Sequence, residues 1–338
     1  MVEIYGYCRV LPSPGWHISR YGRPVKTIDA ASGVQSLGCR AGIAVDETYW
    51  QSVPTEVEVE VYRSIHPDLA HMSDIELLAH YENHGCLEGR VGNRLRDRND
   101  FAALIPRSAN VLEIGPFCNP LLRGANVSYF DVLPQDELIA RARSIGLGLD
   151  PGGVPYIDYV SAAIDLSIVD RHFDVVVSNH CLEHQPDLVG HLQEVGKLLS
   201  PGGAYFVLVP DKRYCFDHFI PPSSLAEVII ARREQRKVHT LRSLIEHRAL
   251  GTHNDSLRHW RGDHGVMFDN LEQRLEAALQ EFDEAGGGYI DVHAWYFTPD
   301  SASTIIRVLQ EMRLSPMTVH RVYTTRYGAD EFWMILRA

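Results

Sequence analysis

Six short, strongly apolar runs punctuate the chain: VLEI at 111–114, VSYF at 127–130, FDVVVSN at 173–179, LLSPGGAYFVLVP at 198–210, YIDVHAWYFTP at 289–299 and EFWMILR at 331–337. Their length and β-branched or aromatic content predict buried strands, as in a sheet covered on both faces. Helical periodicity lies elsewhere. Ser73 predicts a helix with apolar positions Ile75, Leu77, Leu78 and Tyr81, ended by Gly85. Between the fourth and fifth runs, SLAEVIIARREQ, HTLRSLIEH and LEQRLEAALQEFDEA predict a helical insertion over 211–288, closed by Gly286, Gly287 and Gly288. The pattern predicts SASTIIRVLQEM as a further helix and a few short strands with Gly and Pro turns over residues 1–50. Strands alternating with helices give an α/β fold.

The first run continues as VLEIGPFCNP, and the second stops at Asp131. A strand, a glycine turn and a downstream acid is how an α/β domain holds an adenosine-bearing cofactor: Gly115 lets the backbone turn beside the ligand, and Asp131 accepts from a ribose diol. The turn is not GxGxxG. Phe117, Cys118, Asn119 and Pro120 occupy its end, which suits a dinucleotide pyrophosphate poorly and makes an NAD-dependent dehydrogenase the runner-up on fold alone.

From Asn110 to Pro210 the sequence resembles the class I S-adenosylmethionine-dependent methyltransferases. VLEIGPF is similar to their first motif, Tyr129-Phe130-Asp131 to the end of their second strand, Asp165-Leu166 to the acidic loop near the adenine, FDVVVSNHCLEH to the fourth strand and its rim, and LLSPGGAYFVLVP to the fifth strand. The resemblance implies a Rossmann-like seven-stranded sheet with helices on both faces. It places Tyr289–Pro299 as the sixth strand and Glu331–Arg337 as the seventh. It also implies cofactor contacts from Glu113, Gly115, Pro116, Phe117, Asp131, Val132, Asp165, Leu166, Asn179 and His180, with Glu113 facing the amino-acid end of S-adenosylmethionine.

Residues 1–95 are expected to be an N-terminal extension and 96–338 the methyltransferase domain, with 211–288 lid-like over the carboxyl ends of the strands. Within the extension, Tyr62 to Arg90 resembles a helical unit found beside glycosyltransferase and methyltransferase domains of bacterial surface-polysaccharide enzymes, through Tyr62, Pro67-Asp68-Leu69, His80-Tyr81, His84-Gly85 and Glu88-Gly89-Arg90. His66 stands where that unit usually has Asn. A helical hairpin packed on the core is the plain alternative to glycan binding.

Composition narrows the partners. The 338 residues carry a formal charge of −12, which argues against a nucleic-acid backbone, since phosphate contacts need clustered Lys and Arg. The local run Arg232-Arg233-Glu234-Gln235-Arg236-Lys237 reads as a solvated helix face. Six cysteines without CxxC spacing suggest reduced thiols rather than a zinc knuckle or disulfide framework. With no leader-like N-terminus and no membrane span, the expectation is a cytoplasmic protein acting on a small-molecule or glycan acceptor, with a homo-oligomer left open.

Methylating a sugar hydroxyl requires removal of its proton, and the 17 histidines supply candidates. His180 and His184 follow the fourth strand; His218 and His264 fall in the segments above it. His253, Asp255, His259, Asp263 and His264 could gather a divalent metal, a reading not favoured over hydrogen-bonded loop histidines. The segments DKRYCFDHF, HNDSLRHWRGDHG and HAWYFTP are similar to predicted methyltransferases of surface-polysaccharide pathways, which points to O-methylation of a glycan or nucleotide sugar. N- or carboxyl-methylation of another metabolite, and a cofactor-binding scaffold without turnover, remain the alternatives.

Overall fold

The computed structural model describes residues 47–144, 146–148 and 151–338. Of the short strands expected over 1–50, only 47–50 fall within that range, and they are helical. A seven-stranded sheet organises the rest: β1 (Val111–Ile114), β2 (Val127–Asp131), β3 (Tyr159–Val160), β4 (Phe173–Asn179), β5 (Leu199–Pro210), β6 (Thr318–Tyr323) and β7 (Glu331–Arg337). Its order is β3-β2-β1-β4-β5-β7-β6. The first five strands run parallel, while β7 pairs antiparallel with β5 and β6. The chain leaves β1 toward β2 on one side and later returns to β4 on the other, so a crevice opens between the carboxyl ends of β1 and β4.

Helices α1 (Glu47–Ser52), α2 (Val59–Ile65), α3 (Asp74–His80) and α4 (Arg98–Ala102) precede the sheet. Next come α5 (Gln135–Ser144) and α6 (Leu188–Leu198). The insertion holds α7 (Leu225–Glu234), α8 (Leu241–Ala249), α9 (Ser256–Trp260) and α10 (Leu271–Ala285), and α11 (Pro299–Glu311) leads into β6. Alternation along the strands divides the core. Leu112, Ile114, Val176, Tyr205, Val207, Phe332 and Met334 bury against α6, α7 and α11. Val111, Val175, Val177, Phe206, Leu208, Trp333 and Ile335 face the other way, onto Trp50, Val53, Leu95, Phe101 and Ile105.

Local chemistry sets the helix ends. Ser73 and Ser224 each form a reciprocal capping box, with Glu76 and Glu227 respectively. Two expectations change. On α3, Leu77 and Tyr81 are buried, whereas Ile75 and Leu78 face solvent, because the short helix offers only one narrow side to its neighbours.

The second change concerns Tyr289–Pro299, which is not the sixth strand. Its backbone pairs with the loops above the sheet: Ala294 N–H donates to Glu183 O at 2.7 Å, Ser223 N–H to Tyr296 O at 2.9 Å and Lys212 N–H to Phe297 O at 2.9 Å. The sixth strand is instead TVHRVY, an edge strand whose half-buried His320 and Arg321 hide its apolar pattern.

The expected boundary at residue 95 does not coincide with a gap in packing. Tyr323 Oη donates to Pro54 O at 2.7 Å, and Arg326 to Asn93 Oδ1 at 3.0 Å, so residues 47–95 share a core with the sheet. The Tyr62–Arg90 unit also has its own small cluster of Tyr62, Leu69, Leu77 and Tyr81. The polar residues that carry its resemblance are turned inward or toward each other: Tyr62 Oη lies 3.0 Å from His80 Nδ1, and Arg90 pairs with both Asp68 and Glu88.

Candidate active site

A cavity of about 260 Å³ fills the crevice at the ends of β1, β2 and β4. Gly115, Phe117, Asp131, Val132, His180 and His184 line it together with Leu138, Arg141, Ile164, Cys181, Gln185, Tyr289 and Asp291. Backbone is held here in conformations that side chains resist: Phe117, Ile164 and His180 have φ of 46°, 54° and 50°, and the β-branched Ile164 is the least tolerant of the three. Gly115 has φ 69°, and a Cβ there would also meet Cys181 Sγ at 3.1 Å.

Asp131 is buried at the end of β2. Its Oδ2 accepts from Phe117 N–H at 3.1 Å and its Oδ1 from Val132 N–H at 2.7 Å, which fixes the carboxylate yet leaves lone pairs on both oxygens. Burial raises its pKa, against the pull of those amides. Beside it, Leu138, Val132, Phe117 and Ile164 form apolar walls. One fixed carboxylate among apolar walls suits a nucleoside: a diol for the acid, a flat base for the walls.

Other expected cofactor residues take different places. Glu113 does not face the cavity: its oxygens accept from Leu121 N–H at 2.6 Å and Leu122 N–H at 3.0 Å. It ties down the loop after β1, and burial pushes its carboxyl up to about 7. Asp165 caps the short turn at Leu166–Ile168 by accepting from Ser167 N–H at 3.0 Å. Asp165 and Leu166 line a neighbouring cavity of about 450 Å³ that shares Ile164 and Gln185 with the first. Pro116 and Asn179 flank the first cavity without lining it, and Asn179 Oδ1 is buried without a partner.

The two rim histidines are each tied to a carboxylate. His180 Nε2 lies 2.8 Å from Glu331 Oε2, and Glu331 also takes Arg98 and Trp333 Nε1. Burial opposes charge on His180, but Glu331 and Glu183 outweigh it and raise the pKa. His184 Nδ1 sits 3.0 Å from Asp291 Oδ1, an ion-pair contact whose angle falls short of a hydrogen bond. Burial would raise the Asp291 carboxyl, yet His184 and Arg141 hold it low.

His218 and His264 are not with them. Their rings stack at 3.7 Å, His264 Nδ1 lies 3.1 Å from His259 Nδ1, and neither histidine lines the cavity. Of the expected metal group, His253 contacts Asp263 O at 3.0 Å, Asp255 caps α9, and Asp263 pairs with Arg258, leaving His259 and His264 to join His218. In DKRYCFDHF, Tyr214 stacks on Trp260 at 3.7 Å, while Asp211, Cys215 and Asp217 are buried.

Sequence reasoning missed Arg141, Tyr289 and Asp291. The last two lie in the segment that reads as a strand, and Arg141 has no motif; only its position on the helix after β2 could have marked it.

With this geometry in view, likeness to known proteins becomes informative. A sequence profile of a methyltransferase domain matches residues 87–282, more than half of the chain. The chain belongs to that family. It is an S-adenosylmethionine-dependent methyltransferase. No curated protein matches the methyltransferase by sequence.

Among solved structures it is similar to the CcbJ methyltransferase of Streptomyces caelestis, at 14% identity and TM-score 0.36, covering 77% of this chain and 95% of that one. A methyltransferase from Clostridium acetobutylicum gives 9% identity and TM-score 0.35 over 78% and 99% of the two chains. A putative Zn-dependent alcohol dehydrogenase from Rhodobacter sphaeroides gives 16% identity and TM-score 0.40 over 74% and 91%. None of the three is close enough to carry an activity across. Among the described residues no helix of the methyltransferase is long and apolar enough to cross a membrane.

Proposed function

We propose that this methyltransferase transfers a methyl group to a hydroxyl of a sugar or glycan in surface-polysaccharide biosynthesis, in the cytoplasm. The observation that carries the reading is His180 on the cavity wall, held from behind by Glu331. An alcohol is a poor nucleophile at neutral pH and needs a base; an amine needs only desolvation and positioning. With Nε2–H donated to Glu331, His180 keeps a bare Nδ1, and the carboxylate stabilises the imidazolium that forms on proton uptake.

S-Adenosylmethionine supplies an electrophilic methyl when bound. Asp131 would hold its ribose and the walls around Leu138, Phe117 and Ile164 its adenosine, with Asp165 and Leu166 in the adjoining cavity. The insertion 211–288 would act as the lid over the acceptor. Free Cys86, Cys118, Cys181 and Cys215 fit a reducing compartment, and the Tyr62–Arg90 resemblance favours a carbohydrate acceptor.

The test is mass spectrometry of products formed from labelled methyl donor with a panel of glycans, nucleotide sugars, amines and carboxylic acids. A methyl ether on a sugar supports the reading; transfer confined to nitrogen or carboxylate overturns it. Cofactor placement is tested by calorimetry. Because a hydrogen bond to a buried carboxylate is worth roughly 1.5–3 kcal/mol, Asp131→Ala should weaken S-adenosylmethionine binding by about ten- to a hundred-fold. Unchanged affinity would remove Asp131 from the site.

A further inference from the structure

Behind the rim of the cavity, three polar side chains converge from two segments. Glu183 and His184 belong to the turn after β4, and His293 to the segment before α11 that is pinned there by the Ala294 and Trp295 amides donating to Glu183 O. Glu183 is 1% exposed, and both of its carboxylate oxygens lack a hydrogen-bond partner. Two imidazole nitrogens approach it without closing: His184 Nε2 is 3.8 Å and His293 Nε2 3.9 Å from Glu183 Oε1. One ligand atom from each of the three residues falls within 4.8 Å of the others.

The far side of each ring explains why those nitrogens point inward as acceptors. His293 Nδ1 lies 2.7 Å from Asp217 Oδ2, so it donates there and leaves Nε2 bare. His184 Nδ1 faces Asp291 Oδ1 at 3.0 Å at an angle short of a hydrogen bond, so the carboxylate orients that ring by charge. An imidazole whose outer nitrogen rests on a carboxylate is the usual second layer of a metal site, where the carboxylate fixes the ring and raises the basicity of the inner nitrogen.

We propose that Glu183, His184 and His293 bind one divalent first-row transition cation beside the methyl-donor cavity. A buried carboxylate with no partner costs several kcal/mol, and two bare imidazole nitrogens cannot relieve it by hydrogen bonding. A cation relieves all three. Ligand bonds of roughly 2.0–2.2 Å place neighbouring donors roughly 3–3.5 Å apart, so the two Glu183–histidine spacings need a contraction of under about 1 Å and the third spacing, within 4.8 Å, one of at most about 2 Å. Two imidazoles and one carboxylate on one side leave coordination positions open and select Mn²⁺, Co²⁺ or Zn²⁺ over the all-oxygen preferences of Mg²⁺ and Ca²⁺. Because His184 also lines the cavity, an open position there could hold an acceptor hydroxyl and ease loss of its proton. That role rests on the hydroxyl-methylation reading; binding of the cation does not.

The experiment titrates chelator-stripped protein with Co²⁺, following its visible absorption and heat, and measures S-adenosylmethionine affinity on the same samples. One Co²⁺ per chain is expected, with a rise in melting temperature, and Glu183→Gln and His293→Gln should each weaken it at least a hundred-fold while still binding S-adenosylmethionine, which shows that they are folded. His259→Ala, in the separate cluster with His218 and His264, should retain Co²⁺. Wild-type cobalt affinity in both Gln variants, loss of the ion in His259→Ala, or no cobalt binding by the wild type would each overturn the site. Intact S-adenosylmethionine binding in any of those cases leaves the methyl-transfer reading standing.

Discussion

At the scale of single residues, the side chains divide by what holds them. His180 is fixed by Glu331 and open to the cavity, as a base must be. His180→Ala should lower turnover by roughly 10²–10⁴-fold while changing S-adenosylmethionine affinity far less, read from steady-state kinetics beside calorimetry. Near-native turnover would return the role to another group. His191 is the opposite case. It is buried against Tyr205, with Nε2 3.0 Å from the hydroxyl, and burial lowers its pKa to about 3. Because the unfolded chain binds that proton near pH 6.5 and the folded one does not, the stability it contributes is complete above that pH and is lost as pH falls toward 3. Each proton is worth about 1.4 kcal/mol per pH unit. His191→Gln should therefore lose stability less steeply between pH 6.5 and 4, measured by denaturant midpoints; an unchanged slope would place the acid sensitivity elsewhere.

The elements show what a one-dimensional pattern can carry. Buried parallel strands such as FDVVVSN are legible because both faces are covered and Val175, Val176 and Val177 are apolar in succession, while α7 and α8 are legible through their Ser224 and Thr240 caps and α10 through its periodicity. TVHRVY is hidden because an edge strand keeps polar side chains, and Tyr289–Pro299 misleads because its apolar side chains are buried against α8, α10 and the main core without its backbone joining the sheet. Asp131, His180 and His184 were legible as members of the cavity. The pairing of His184 and His293 around Glu183 was not, since it depends on a contact across 109 residues of chain that no local pattern records.

The Tyr62–Arg90 unit makes an element-scale prediction: a Cβ at Gly85 would fall 2.3 Å from Tyr62 Oη. Gly85→Ala should cost about 1–3 kcal/mol, and the cost should shrink when Tyr62→Phe removes that oxygen. Additive losses in the double variant would show that the hydroxyl is not the obstacle.

The molecule as a whole does not divide where its motifs do. The cofactor signature begins at Val111, which suggests that everything before residue 96 could be removed, but residues 47–338 form one compact unit. Trp50, Val53 and Leu95 are 2%, 3% and 3% exposed and close the face of the sheet that also carries Phe101, Phe206, Tyr323 and Trp333. Phe101 meets the rings of Phe206 and Trp333 at 5.3 Å each, so that face is an aromatic cluster whose outer wall belongs to the supposed extension. Deleting a buried Trp or Phe side chain alone costs roughly 3–5 kcal/mol, against roughly 5–15 kcal/mol holding a typical domain together. A chain beginning at residue 96 should therefore melt well below the full protein and bind S-adenosylmethionine weakly through its unfolded fraction. Trp50→Ala in the full chain should reproduce roughly 3–5 kcal/mol of that loss with the Tyr62–Arg90 unit intact, which separates the lost wall from any contribution of the helical unit. If the shortened chain kept the full protein's melting temperature, the sheet would need no such cover, and the boundary read from the motifs would be the physical one.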